Sequence, residues 1–225
     1  MQTGIVTGAS RGLGLALGRA LIERGWRIVV DGRGGDALEA EWADVPAVTA
    51  IQGDVRDPAH RRALVEAAGN EIDLVVNNAS LLGPSPQPPL SRYPLHELRH
   101  VYEVNVTAPL GLVQLALPRL AEGARILNIT SDAGVEAYEG WGGYGSSKAA
   151  LEQLTAILAA EHPELRIYAV DPGDMNTQMH QEAFPGEDIS DRPPPEASVP
   201  SLLTLIEGEV PSGRYRAADL AEVRA

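Results

Sequence analysis

Short apolar runs alternate along this chain with longer stretches that repeat an apolar residue every third or fourth position. The short runs are Thr3 to Thr7, Arg27 to Val30, Ala47 to Ile51, Leu74 to Val76, Arg125 to Ile129 and Arg166 to Val170. Unbroken apolar triplets such as Ile28-Val29-Val30 suit strands covered on both faces. The longer stretches are Leu13 to Arg24, Asp36 to Ala43, Ala59 to Ala68, Leu95 to Leu120 and Ser146 to Glu161, with the period and length of helices. Strand alternating with helix predicts an α/β domain: a Rossmann-like, doubly wound parallel sheet of six or seven strands with helices on both faces. No repeat or linker divides the chain, so residues 1–225 are expected to form one domain.

The residues between these stretches agree with the pattern. Asp57-Pro58 places an N-cap before a proline at the first helical position. Gly25 and Gly69 stand where helices end. The stretch from Gly83 to Pro94 holds five prolines and marks a loop, and Pro109 and Pro118 are expected to kink or shorten the long helix that follows. Residues 174–200 are polar, proline-rich and weakly periodic, and are expected to be a loop that covers a site. Val199 to Ile206 predicts a last helix, and Gly213 to Tyr215 an edge strand.

Composition narrows the function. The net charge of −13 opposes phosphate backbones and anionic membranes, so neither nucleic acid nor a membrane is an expected partner. No apolar run reaches a membrane-spanning length, and the N-terminus runs into a strand without a basic leader, so the expected location is cytoplasmic. The absence of cysteine excludes disulfides, thiolate metal sites and a catalytic thiol. His96 and His100, four apart, lack a third ligand, and no metal site is expected. Of 18 cationic residues, 17 are arginine and one is lysine, Lys148.

One turn carries a phosphate-binding pattern. Thr7-Gly8-Ala9-Ser10-Arg11-Gly12-Leu13-Gly14 follows the first strand and opens a helix. Gly8 allows a tight turn, Gly12 close backbone approach to a pyrophosphate, and Gly14 close packing of helix on strand. The helix N-terminus adds unpaired N–H groups and the positive end of its dipole.

With this turn the sequence resembles the short-chain dehydrogenase/reductase family. The likeness continues through Asp54-Val55, Asn77-Asn78-Ala79-Ser80, Asn105, Ser131, Tyr144-Gly145-Ser146-Ser147-Lys148, and Pro172-Gly173 with Thr177. Ser80 stands where the family pattern has glycine. The resemblance implies hydride transfer between a nicotinamide dinucleotide and a small carbonyl compound or secondary alcohol. It implies Tyr144 as acid–base, Lys148 lowering the phenol pKa and holding the ribose, Ser131 on the substrate oxygen, and Asn105 anchoring a water behind Lys148. It further implies coenzyme contacts at Gly8, Ser10, Arg11, Gly12, Leu13, Gly14, Arg33, Asp54, Val55, Asn78, Ala79, Tyr144, Lys148, Pro172, Gly173 and Thr177.

The coenzyme hinges on Val30-Asp31-Gly32-Arg33. A carboxylate here would bind ribose hydroxyls, as in NAD(H), and an arginine a 2′-phosphate. The resemblance sets the discriminating position at Gly32 with Arg33 next, and Arg11 adds a second cation, so NADP(H) is favoured over NAD(H). Val135, Tyr138 and Trp141 are candidates for an apolar substrate wall. The acidic Asp132, Glu136 and Glu139 point to neutral carbonyl substrates. Two other readings are a dinucleotide-binding regulator without turnover, and a nucleotide-sugar epimerase or dehydratase, for which the chain is short. Pairing of the long helices predicts a homodimer or homotetramer.

Overall fold

A computed structural model describes residues 1–222. Seven strands form one sheet: β1 (Thr3–Val6), β2 (Arg27–Gly32), β3 (Val48–Gln52), β4 (Ile72–Asn77), β5 (Leu120–Ile129), β6 (Arg166–Asp171) and β7 (Gly213–Arg216). Their spatial order is β3-β2-β1-β4-β5-β6-β7, and each neighbouring pair is parallel. The order reverses between β1 and β4, which opens a crevice at the carboxyl ends of those strands. The predicted edge strand is β7, bonded to β6 alone.

The helices are α1 (Gly12–Glu23), α2 (Gly35–Trp42), α3 (Pro58–Ala68), α4 (Leu95–Tyr102), α5 (Ala108–Ala116), α6 (Gly142–Glu161), α7 (Gln178–Ala183), α8 (Val199–Glu207) and α9 (Ala217–Glu222). Alternate residues of one strand serve opposite faces. Ile28 and Val30 join Leu13, Leu17, Leu21 and Leu202 on one side, while Val29 joins Leu64, Leu112 and Leu158 on the other. This explains the unbroken apolar triplet: both faces of β2 are core, and each such side chain contributes about 1.5–3 kcal/mol.

Two predicted elements differ. The single helix over Leu95 to Leu120 is α4, a π-helical turn at Glu103–Thr107, α5, and a 3-10 turn at Leu117–Arg119. Pro109 falls in the first turn of α5, where its missing N–H costs little, and Pro118 ends the run. The span from 174 to 200 is not wholly loop, because Thr177 caps α7 by accepting from the His180 N–H at 3.2 Å. Asp57 caps α3 as expected, accepting from the Ala59 N–H at 2.8 Å.

Candidate active site

A cleft of about 480 Å³ lies over the carboxyl ends of the strands, lined from Gly8 and Arg33 at one end to Tyr144 and α7 at the other. Its floor is stitched at the β1–β4 switch. Thr7 Oγ1 accepts from the N–H groups of Asn78 and Ala79, both at 3.0 Å. Asn78 Nδ2 donates to the carbonyls of Thr7 at 2.8 Å and Gly8 at 3.1 Å. Gly8 and Gly12 have φ of 68° and 57°, the left-handed region that other residues enter at a cost. A Cβ on Gly12 would meet only Thr177 Cγ2, at 3.7 Å, so the turn faces open space. No side chain caps the N-terminus of α1, which leaves its first N–H groups for an anionic ligand. These features fit a pyrophosphate.

Asp31 lies differently from the sequence expectation. It is 1% exposed, accepts from the Gly8 N–H at 2.6 Å, and pairs with His60 Nε2 at 2.9 Å. Both carboxylate oxygens are thus engaged in holding the turn, and the ribose-binding role weighed for it does not follow. Arg33 is exposed at the cleft, and so is Arg11, whose guanidinium donates to Gln178 Oε1 on α7. Asp31→Ala strands the Gly8 N–H and the His60 ring; we expect a loss of roughly 1–3 kcal/mol in denaturant unfolding and weaker binding of either coenzyme.

Asp54 and Val55 line the same end, with Asp54 ion-paired to Arg56 at 2.8 Å, which holds its carboxyl below the usual range. The buried Arg61 fixes this loop by donating to the carbonyls of Val55 and Arg56. Neither His60 nor Arg61 stood out in sequence, because their partners are set by how α3 packs and not by a local motif.

At the other end, Tyr144 lies in the first turn of α6 and Lys148 one turn later. Both are buried, and Lys148 Nζ is 5.3 Å from the Tyr144 ring centroid, donating to the Ile129 carbonyl at 2.7 Å. The expected lowering of the phenol pKa is not found. Burial pushes Tyr144 well above its usual value, aided by Asp171 and Asp132; the hydroxyls of Ser80 and Ser131 act the other way. Burial also pushes Lys148 down to about 7, opposed by Glu152. Desolvation exceeds the attraction because both groups share one buried site.

Ser131 Oγ donates to Asp132 Oδ1 at 2.8 Å. Asn105 stands behind the cleft in the π-helical turn, 1% exposed. Its Oδ1 accepts from Leu81 N–H at 2.8 Å, and its Nδ2 donates to the Leu81 carbonyl and to Ser147 Oγ, both at 2.9 Å. The side chain is therefore committed to the loop after β4 and to α6. Gly14 also stands behind the cleft, where a Cβ would come within 2.5 Å of the Gly8 carbonyl oxygen.

Ser10, Leu13, Ala79, Pro172, Gly173 and Thr177 line the cleft as expected. Of the apolar candidates, Trp141 lines it, whereas Val135 and Tyr138 are 56% and 46% exposed and do not. The Tyr138 hydroxyl donates to Asp132 Oδ2 at 2.9 Å. An aromatic wall runs from Tyr144 to Trp141 at 5.9 Å, to Phe184 at 5.7 Å, and on to His180 at 4.9 Å between ring centroids. Leu82, Met179 and Ala183 complete this apolar end. His96 and His100 are exposed and paired with Glu97, and among the described residues no group of three ligands suits a metal.

The short chain dehydrogenase family model matches residues 2–188. The chain belongs to the short-chain dehydrogenase family. It is similar to the benzil reductase of Saccharomyces cerevisiae, 32% identical over 88% of this chain and 79% of that protein. It is also similar to the serine 3-dehydrogenase of Rhizobium radiobacter, 32% identical over 78% of this chain and 72% of that protein. A solved chain from Escherichia coli CFT073 in complex with NADPH superposes with a TM-score of 0.88 at 26% identity, covering 96% of each. As a short-chain dehydrogenase, the protein is an oxidoreductase that moves hydride between a nicotinamide dinucleotide and a carbonyl compound or alcohol. No helix among the described residues is long and apolar enough to cross a membrane.

Proposed function

We propose that this chain is an NADPH-dependent reductase of ketones or aldehydes with an apolar body, with Tyr144 as the acid. The observation that carries the reading is the meeting of Ser131, Tyr144 and Lys148 with the glycine turn around one cleft. The bound coenzyme supplies and receives hydride. Gly8, Ser10, Arg11, Gly12, Leu13, Asn78 and Ala79 would hold its pyrophosphate end, Asp54 and Val55 the adenine, and Pro172, Gly173 and Thr177 the nicotinamide. Gly14 lets α1 pack close beneath the turn.

Two features support reduction. Burial keeps Tyr144 protonated at neutral pH, so it meets a carbonyl oxygen as a donor. Lys148, with a pKa of about 7, can give up a proton at neutral pH to restore the phenol. Ser131 steadies the substrate oxygen, and Asn105 acts at a distance by fixing α6 through Ser147. The aromatic wall and Met179 favour an apolar substrate body, in keeping with the reductase similarity to an enzyme named for benzil. We assign the chain to one catalytic domain, of which residues 223–225 lie outside the described residues, with residues 174–200 as its lid and α7 touching Arg11.

The coenzyme choice is read from charge. Both oxygens of Asp31 are taken by the Gly8 N–H and His60, so its carboxylate is not free for ribose hydroxyls, and Arg33 and Arg11 offer two cations. Arg33→Ala is expected to raise the KM for NADPH roughly tenfold or more, the worth of a charge-assisted hydrogen bond, with little change for NADH. Steady-state kinetics with both coenzymes test this; a wild-type preference for NADH would overturn the assignment. Pairing of subunits through α4 and α6 is supported by exposed Leu95 and Ile157.

A further inference from the structure

We propose that Ser80 is a positioning residue whose hydroxyl swings from Asn105 to the Tyr144 oxygen when that oxygen loses its proton. The inference rests on Tyr144 being the acid. Ser80 lies in the loop after β4, at the position where the family resemblance has glycine, so a hydroxyl is present here beyond the family pattern. It lines the same cleft as Tyr144, and its hydroxyl is one of the two that act on the phenol. Its Oγ donates to Asn105 Oδ1 at 3.2 Å, long for a hydroxyl donor, and that acceptor already has the Leu81 N–H at 2.8 Å. The Ser80 proton is thus weakly held. The Ser131 proton is held more firmly, by Asp132 at 2.8 Å. Of the two hydroxyls flanking the phenol, Ser80 is the easier to redirect.

During reduction, hydride adds to the carbonyl carbon and the Tyr144 proton goes to the carbonyl oxygen, so an alcohol forms and a phenolate remains. The Ser80 O–H then rotates and donates to that phenolate; no bond of Ser80 breaks. In the reverse direction the same hydrogen bond favours the phenolate that accepts the alcohol proton. The charged and titratable groups around the phenol are Lys148 on α6, Asp132 after β5, and Asp171 at the end of β6. Asp174 and His180 of the lid line the same cleft. Ser80 differs from these in being neutral, so its removal changes the phenolate without changing the charge of the site.

The test is the pH dependence of 1-phenylethanol oxidation by NADP⁺, which needs the phenolate; the positive charge of the oxidised nicotinamide would favour that phenolate and bring its titration below that of the coenzyme-free protein. Ser80→Ala is expected to move the acidic limb of kcat upward by roughly one to two pH units, the equivalent of one charge-assisted hydrogen bond. Ser80→Thr, which keeps the hydroxyl, should leave the limb in place. Ser80→Gly restores the family residue and gives a second variant with a tolerated backbone. The tyrosinate absorbance of the NADP⁺-loaded protein, taken as the difference from Tyr144→Phe, should move with kcat and needs no turnover. Superimposable limbs and tyrosinate titrations in wild type and Ser80→Ala would overturn the proposal, as would a loss of rate at every pH with no shift. If Tyr144→Phe retained activity, the reading of Tyr144 itself would fail. An inactive Tyr144→Phe with an unmoved Ser80→Ala limb would reject only the role of Ser80.

Discussion

Tyr144→Phe is expected to lower kcat/KM for carbonyl reduction by roughly 10²–10⁴-fold, the usual worth of a positioned proton donor. The ring keeps its place beside Trp141 and its burial, so NADPH binding followed by nicotinamide fluorescence should be nearly unchanged. The loss is therefore expected in kcat, as for an interaction made only in the transition state. The phenol is neutral at neutral pH, so the substitution removes no charge and folding should be nearly unchanged. A proportional fall in coenzyme affinity would show a structural defect and contradict the assignment.

Lys148→Met is expected to have two opposite effects. Activity should fall about as far as in Tyr144→Phe, because the ammonium both restores the phenol proton and holds the ribose. Thermal stability without coenzyme should rise. Lys148 is 2% exposed, and its pKa drops from 10.5 unfolded to about 7 folded. Below pH 7 the native state buries a charge that methionine would not carry. Between pH 7 and 10.5 the unfolded chain binds the extra proton, so wild-type stability increases with pH and the advantage of the variant shrinks. The lost bond to the Ile129 carbonyl offsets part of the gain, leaving roughly 1–4 kcal/mol at pH 6. Melting curves at pH 6 and pH 10 measure the difference; equal Tm gains at both would contradict the buried-charge account. The same pKa predicts that wild-type reduction slows as pH rises past 7, while Lys148 loses its proton.

Much of this molecule is legible in its sequence, and the reasons are local. Ile28-Val29-Val30 must be doubly covered, and the glycine turn must adopt conformations that exclude side chains. Tyr144 and Lys148 share a face because they lie four apart on one helix. The single lysine in an arginine-rich chain is the buried cation of the cleft. What sequence does not reveal depends on packing. The phenol pKa rises because burial outweighs a neighbouring charge, a balance no spacing encodes. Asp31 turns from the ribose position because His60, on a different element, pairs with it. Asn105 is in a π-helical turn that the apolar period of Leu95 to Leu120 hides. Tyr138 is held by Asp132 through its hydroxyl, outside the cleft lining, a contact no local spacing announces.

The central claim is that this cleft passes hydride from NADPH to a carbonyl carbon while Tyr144 protonates its oxygen. It is tested most directly by incubating the protein with NADPH deuterated at the transferable position and an aromatic ketone, then measuring deuterium in the alcohol by mass spectrometry. The account predicts one deuterium on the carbinol carbon with wild type and no labelled alcohol above background with Tyr144→Phe. Unlabelled product, or equal labelling by Tyr144→Phe, would contradict it.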